Sequence, residues 1–323
     1  MLLAVLVWGS LGLIIGSFTN VLILRHGRAS IMGRSACPYC IRELAWYELV
    51  PVISWLLLRG RCRTCGTRIS LQYPIVELLM GGLFIAVGLA PVPLVIRIIG
   101  CVIVLFLVAI AVYDLRHTIM PDSWVYSFVA LALASSILSR TFEGGVPTSS
   151  LFMLFLSGPI VAFPLWFLWR ISGGRWMGFG DVKFALGMGW LLGAWYGFVA
   201  LTLAFIIGAL VGVFVLLPLE HYLRAWRWLK AGFTPTPLVS LLPFFGSFRS
   251  MASSTSRAQN EKLIPKDSKK MKTPMVSGFT MKSEVPFGPF LILATIILWL
   301  SVLYAYDPIL SLPEASVFWN FSS

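Results

Sequence analysis

The sequence predicts an all-α polytopic membrane protein of about eight transmembrane helices with a small cytoplasmic zinc-binding loop domain. Three observations predict it. Of the 323 residues 58% are hydrophobic and only 12% charged, with a mean hydropathy of +0.88. That leaves too little charged surface for a soluble chain of this length, so the bilayer is its main solvent. Apolar runs near the roughly 20 residues that a membrane span needs recur along the chain. The remaining charge is lopsided, 25 Lys+Arg against 13 Asp+Glu, as expected of a membrane protein with basic cytoplasmic loops.

The first helix is expected over residues 1–24. Its apolar run is followed, not preceded, by Arg25, Arg28 and Arg34, the opposite polarity to a cleavable signal. We therefore read a retained span with its N-terminus outside. Further spans are expected at 74–90, 93–113, 123–139, 149–170, 197–218 and 287–305, the shorter ones relying on local thinning or flanking anchors. Residues 25–73 carry eight arginines against Glu43 and Glu48, a net of +6, and residues 219–286 carry eleven Lys+Arg against four acids, a net of +7. The positive-inside rule sets both loops in the cytoplasm. With the N-terminus outside, that parity requires residues 184–195 to cross as a short helix, which makes eight spans with both termini outside. A re-entrant 184–195 is the alternative and would put the second loop outside. The domains that follow are 1–24, a first helix; 25–73, a cytoplasmic loop domain; 74–219, a transmembrane core; 220–286, a basic loop; and 287–323, the last helix and tail. Residues 246–284, rich in Ser, Lys and Thr, have no composition for a core and read as flexible.

Cys37-Pro-Tyr-Cys40 and Cys62-Arg-Thr-Cys65-Gly66 form two C-x2-C pairs. Each pair can grip one face of a tetrahedral ion, and four thiolates suit structural zinc. Gly66 permits the tight turn of such a knuckle. A loop this short has no core of its own, so a metal would supply folding free energy. Disulfides are the alternative, and a cytosolic loop argues against them. Cys101 reads as a small core residue.

Elimination narrows the thirteen acids. Six lie in the basic loops; Glu143, Asp307 and Glu314 lie in outer segments; Glu77, Asp114, Asp122 and Asp181 remain near membrane depth, where ionisable groups are costly and are functional candidates. Asp114 closes the span 93–113 and Asp181 ends Gly178-Phe179-Gly180-Asp181, just before Lys183. In the eight-span arrangement both face the cytoplasmic mouth. Two such carboxylates can hydrolyse a peptide, one deprotonating water while the other donates to the scissile carbonyl. Gly178 and Gly180 would let the substrate backbone approach. Asp181 could equally be a helix N-cap, and Asp122 reads as one.

Several segments together resemble the type IV prepilin peptidases, also called leader peptidase/N-methyltransferases, of the Gly-x-Gly-Asp aspartic protease group. They are Gly16-Ser17-Phe18-Thr19-Asn20-Val21 with Arg25, the two Cys pairs with Pro51-Val52-Ile53-Ser54-Trp55-Leu56 between them, Tyr73-Pro74-Ile75-Val76-Glu77-Leu78, the stretch Asp114 to Asp122, Gly178 to Lys183, and Pro286-Phe287-Gly288-Pro289-Phe290. The resemblance implies Asp114 and Asp181 as the catalytic pair, cleavage after the Gly that ends a basic leader of prepilins or pseudopilins, and a multi-pass enzyme of the bacterial cytoplasmic membrane. It also implies N-methylation of the new N-terminus with S-adenosylmethionine, a step associated with the Cys-bearing loop and its surroundings. Glu77 is the candidate for the methylation step, or else a buried acid paired with an arginine such as Arg68. The stretch 230–284 is longer and more polar than the family pattern.

Rival readings are weaker. A transporter using the two aspartates would need polar residues deeper in its spans. A membrane scaffold leaves the paired aspartates unexplained. Nucleic-acid binding is disfavoured because the positive charge is divided between loops that set topology, where anionic lipid is its natural partner. His26, His117 and His221 are scattered, and no Ser sits in a nucleophile-elbow pattern.

Overall fold

The computed structural model describes residues 1–27, 33–37, 39–142, 148–216 and 286–305; the basic stretch 219–285 and the flexible reading of 246–284 lie outside them. One compact unit comprises residues 1–212 and 285–323, and of the other, 213–284, only residues 213–216 are described. The helices are α1 (Leu2–Arg25), α2 (Ile53–Leu57), α3 (Gln72–Gly88), α4 (Leu94–His117), α5 (Asp122–Phe142), α6 (Thr148–Ser172), α7 (Phe179–Val211) and α8 (Gly288–Ala305). Six of them are long and apolar enough to cross a membrane, and α3 is a shorter apolar helix. Among the described residues there is no β-strand beyond two isolated bridges.

Helices in a bilayer associate by close packing rather than by expelling water, so small residues mark their seams. α1 buries Gly9, Gly12, Gly16, Thr19, Asn20 and Ile23, one face at three-and-four spacing. A Cβ at Gly12 would lie 2.7 Å from the Met80 carbonyl oxygen, and one at Gly16 2.8 Å from Glu77 Cα. The backbones of α1 and α3 thus touch along an antiparallel seam. Asn20, fully buried, fastens the end of the seam where α1 finishes and α3 begins: its amide donates to the Tyr73 carbonyl at 3.2 Å and its oxygen accepts from Gln72 at 3.3 Å.

The expected spans at 184–195 and 197–218 are both contained in α7, which is interrupted at Gly193 with φ 79°, ψ 172°, a conformation that is essentially restricted to glycine. Contacts on either side of it prove a reversal. Gly180 packs against Met120, whose methyl reaches Gly288, and the Phe205 ring stands 4.7 Å from that of Phe287. A straight helix would separate residues 180 and 205 by about 37 Å. Instead the chain turns back at Gly193, and Gly189 and Gly197 both pack on Val161 of α6. The first arm, 179–192, extends only about 21 Å. Among the described residues the helices therefore make eight passes, the number expected with 184–195 as a crossing, and the turn falls at Gly193 rather than at residue 196.

Candidate functional site

α4 runs on past the expected end of its span to His117, and Thr118 closes it in the left-handed conformation, φ 53°, its N–H bonding the Asp114 carbonyl. Asp114 therefore lies inside a helix and is buried, 5% exposed. Asp181 sits in the first turn of α7, 8% exposed, with the Gly178 N–H directed at its carboxylate. Met120 links the two, packing on Gly180 beside Asp181 and on Gly288 beside the Asp114 carboxylate.

The frame around them comes from three helix ends. Met120, in the α4–α5 turn, packs on Gly180 from one side and Gly288 from the other. Position 288 has no spare volume, because a Cβ there would stand 2.3 Å from Asp114 Oδ2 and 2.2 Å from the Met120 methyl. Gly180 is not the opening for substrate that its residue type suggested, since Met120 already fills the space 3.2 Å from a Cβ at that position. Gly178 is more open, with nothing nearer than 3.8 Å. Asp122 is more than a helix cap: its carboxylate pairs with Lys183 at 2.8 Å, and the Lys183 ammonium lies over the Tyr126 and Phe179 rings. That pair joins the start of α5 to the start of α7. An aromatic set at the same end, His26 against Tyr113 and Trp124 and Tyr113 against His117, brings the end of α1 to the α4–α5 corner.

The four loop cysteines converge, their Sγ atoms all within 4.8 Å of one another. Cys37 and Cys65 are 3.8 Å apart and Cys40 and Cys62 4.0 Å. Sulfurs at the corners of a tetrahedron around zinc would be about 3.8 Å apart, so the set fits the ion and the thiols are not cross-linked. The two knuckles repeat one geometry. Bridges Ala36 to Glu43 and Arg61 to Arg68 flank them, and Cys37 and Cys62 each receive a turn-closing N–H, from Ile41 and Gly66. The turn requires a positive φ at both positions, 58° at Ile41 and 69° at Gly66, so the first knuckle makes with a β-branched residue the turn that the second makes with glycine. Backbone N–H groups of Cys65 and Thr64 lower the Cys62 thiol, and the Thr67 hydroxyl and N–H lower Cys65 to about 6. The Arg42 N–H acts the same way on Cys40, but burial and the surrounding thiols raise Cys40 to about 11. Beside the knuckles, buried Glu48 accepts from the Ala45 N–H at 2.9 Å and from Arg42 at 2.7 Å. Those bonds hold its carboxyl below the usual range, the Ala45 N–H foremost.

Glu77 is buried, 5% exposed, in the α1–α3 seam. It does not pair with Arg68, which is exposed; it accepts the Val52 N–H at 2.8 Å, with Ser17 alongside. Asn20, Met120 and Val52 stand at these junctions within stretches that sequence reasoning quoted without separate roles. The types of Met120 and Val52 carried no signal, but the polar Asn20 in an apolar span did.

Comparison with known proteins agrees with this layout. Residues 10–90 match the model of the bacterial peptidase A24 N-terminal domain, and residues 101–213 that of the type IV leader peptidase family. A prepilin leader peptidase/N-methyltransferase of Myxococcus xanthus is 36% identical over 64% of this chain and 62% of its own length. Proteins of the same name from Pectobacterium carotovorum and Klebsiella pneumoniae are 31% and 32% identical, over 71% and 60% of this chain and 86% and 87% of their own lengths. The chain thus spans under two thirds of the Myxococcus relative but most of the other two. No solved structure matches. The agreement in order, extent and identity establishes that the chain belongs to the type IV leader peptidase family.

Proposed function

We propose that the protein is a membrane-embedded aspartic endopeptidase that removes the basic leader from type IV prepilins or pseudopilins after a Gly, and then N-methylates the exposed residue with S-adenosylmethionine. The observation that carries this reading is the pair Asp114 and Asp181, two buried acids from separate spans linked through Met120 at one end of the bundle. One carboxylate takes a proton from a water as its oxygen attacks the glycyl carbonyl. The other, protonated, donates to the carbonyl oxygen. Collapse of the resulting diol breaks the C–N bond, and the departing amine takes up a proton from the pair. We assign neither role to one residue, because both carboxylates are buried and neither is held in an ion pair among the described residues.

The supporting residues act by position. Gly178 directs its N–H at Asp181 and leaves the adjacent backbone accessible, Gly180 seats Met120, and Lys183 neutralises Asp122 and fixes the two helix starts. Cys37, Cys40, Cys62 and Cys65 would hold a zinc ion whose role is to fold the loop, since four thiolates leave no open coordination position. For methylation we assign Glu77 to holding the loop through Val52 rather than to contact with the methyl donor, because its carboxylate is already engaged.

The site faces the cytoplasm in this reading, in the bacterial inner membrane, where +6 of charge follows α1 in sequence. A prepilin has its basic leader inside and its apolar helix in the bilayer, so the scissile junction meets the aspartates without crossing. The test is to incubate the purified protein with a prepilin and S-adenosylmethionine, following leader release by mass and methyl transfer by isotope. Release without methylation would retain the peptidase and remove the transferase. Neither activity, with the protein folded, would remove the reading.

A further inference from the structure

The loop between α1 and α3 exposes apolar side chains that a water-facing metal knuckle has no reason to expose. Ile53, Leu56 and Leu57 of α2 are 58%, 61% and 78% exposed, and Trp46 and Leu49 of the preceding 3-10 turn are 80% and 41% exposed. Ile53, Leu56 and Leu57 fall at positions i, i+3 and i+4, one face of the helix.

Where this face sits is decided by an unusual backbone link. Val52, directly before α2, has φ 61° and ψ −51°, and the Ile53 N–H bonds the Pro51 carbonyl across it. This is a γ-turn of the less favoured hand, strained for any L residue and more so for a β-branched one. The turn is held by the Glu77 carboxylate, which accepts the Val52 N–H at 2.8 Å. Glu77 lies about 7.5 Å along α3 from Gln72. The start of α2 is thereby pinned at the depth of the membrane end of α3, not out in the aqueous loop. Arg59, Arg61 and Arg68 follow, all exposed and, among the described residues, in no ion pair, whereas Arg63 donates to the Tyr47 hydroxyl at 3.0 Å and Glu43 and Glu48 are already matched by Arg34 and Arg42.

We propose that α2 and the preceding 3-10 turn are an in-plane anchor, seated in the headgroup–acyl boundary of the leaflet that the ends of α1 and α3 enter, with Arg59, Arg61 and Arg68 on anionic lipid phosphates. An apolar face, an interfacial Trp and adjacent arginines at one depth are what such a boundary takes. The anchor holds the cysteine loop flat against the membrane beside the ends of the spans. It depends on the chain being a membrane protein, not on the peptidase reading.

The test uses the unaltered full-length protein in nanodiscs of phosphatidylcholine alone and of phosphatidylcholine with phosphatidylglycerol, reading amide hydrogen exchange over residues 46–63. Anionic lipid should slow exchange there by about fivefold for each arginine engaged. Leu56→Asp with Leu57→Asp should abolish that protection, with metal content and the thermal transition serving as folding controls. Equal exchange in both lipids, or no effect of the double variant, overturns the proposal. So does protection that appears only when prepilin is added, or only as protein per disc rises, since those results assign the face to substrate or to a second copy.

Discussion

Gly288→Ala adds one methyl group at the tightest point of the candidate site. Its Cβ would stand 2.3 Å from Asp114 Oδ2, where ordinary contact begins near 3.4 Å, so the carboxylate must retreat by about 1 Å. The Met120 methyl, 2.2 Å away, is the end of a flexible side chain and can swing aside. Overpacking of this kind costs about 1–3 kcal/mol of stability, which a bundle of eight passes should survive. The functional cost is larger, because a 1 Å displacement of a reacting group lowers turnover by ~100-fold. We expect kcat for leader release to fall by about that factor. Adding Met120→Ala should not restore it, because the carboxylate clash remains. Gly82→Ala, where a Cβ meets nothing within 4 Å, is the control and should stay near wild type. Wild-type turnover by Gly288→Ala, measured on reconstituted enzyme with a prepilin, would refute the assignment of Asp114 to the reacting centre.

Four further outcomes concern the loop and the reversal. Cys62→Ser should lose the metal and weaken methylation more than cleavage, whereas Ile41→Gly, which relieves a φ of 58°, should stabilise the first knuckle by about 1–2 kcal/mol; metal stoichiometry and chelator competition check both. After chelation, alkylation of Cys65 should follow a pH midpoint of about 6, reactive above it and protected below, while Cys40, at about 11, stays slow at neutral pH. Four thiols titrating together near about 8.5 would contradict the Thr67 hydrogen bonds. Gly193→Ala should cost about 1–3 kcal/mol through backbone strain alone, since no atom lies within 4 Å of the added Cβ; an unchanged unfolding midpoint would contradict the reversal.

The sequence was most informative where the bilayer constrains it. Loop charge parity put both aspartates at one end and asked for an eighth crossing inside an apolar run, and Met120 packs on Gly180, next to Asp181, and on Gly288, next to Asp114. The cysteine spacing anticipated the cluster. What stayed hidden depends on the folded backbone. The reversal at Gly193 is one glycine among many in α7. The partner of Glu77 is a backbone N–H that exists at that position only once the strained turn at Val52 has formed, so an arginine was the natural expectation. Asp122 looked like a cap because its partner Lys183 lies 61 residues away, and pairing at that range leaves no periodic trace.

The account turns on Asp114 and Asp181 acting together. Single-turnover leader release by Asp114→Asn, Asp181→Asn and the double variant, each shown folded by its metal content and thermal transition, tests that most directly. The account predicts that each single variant is as inactive as the double one. Substantial release by either single variant would contradict it.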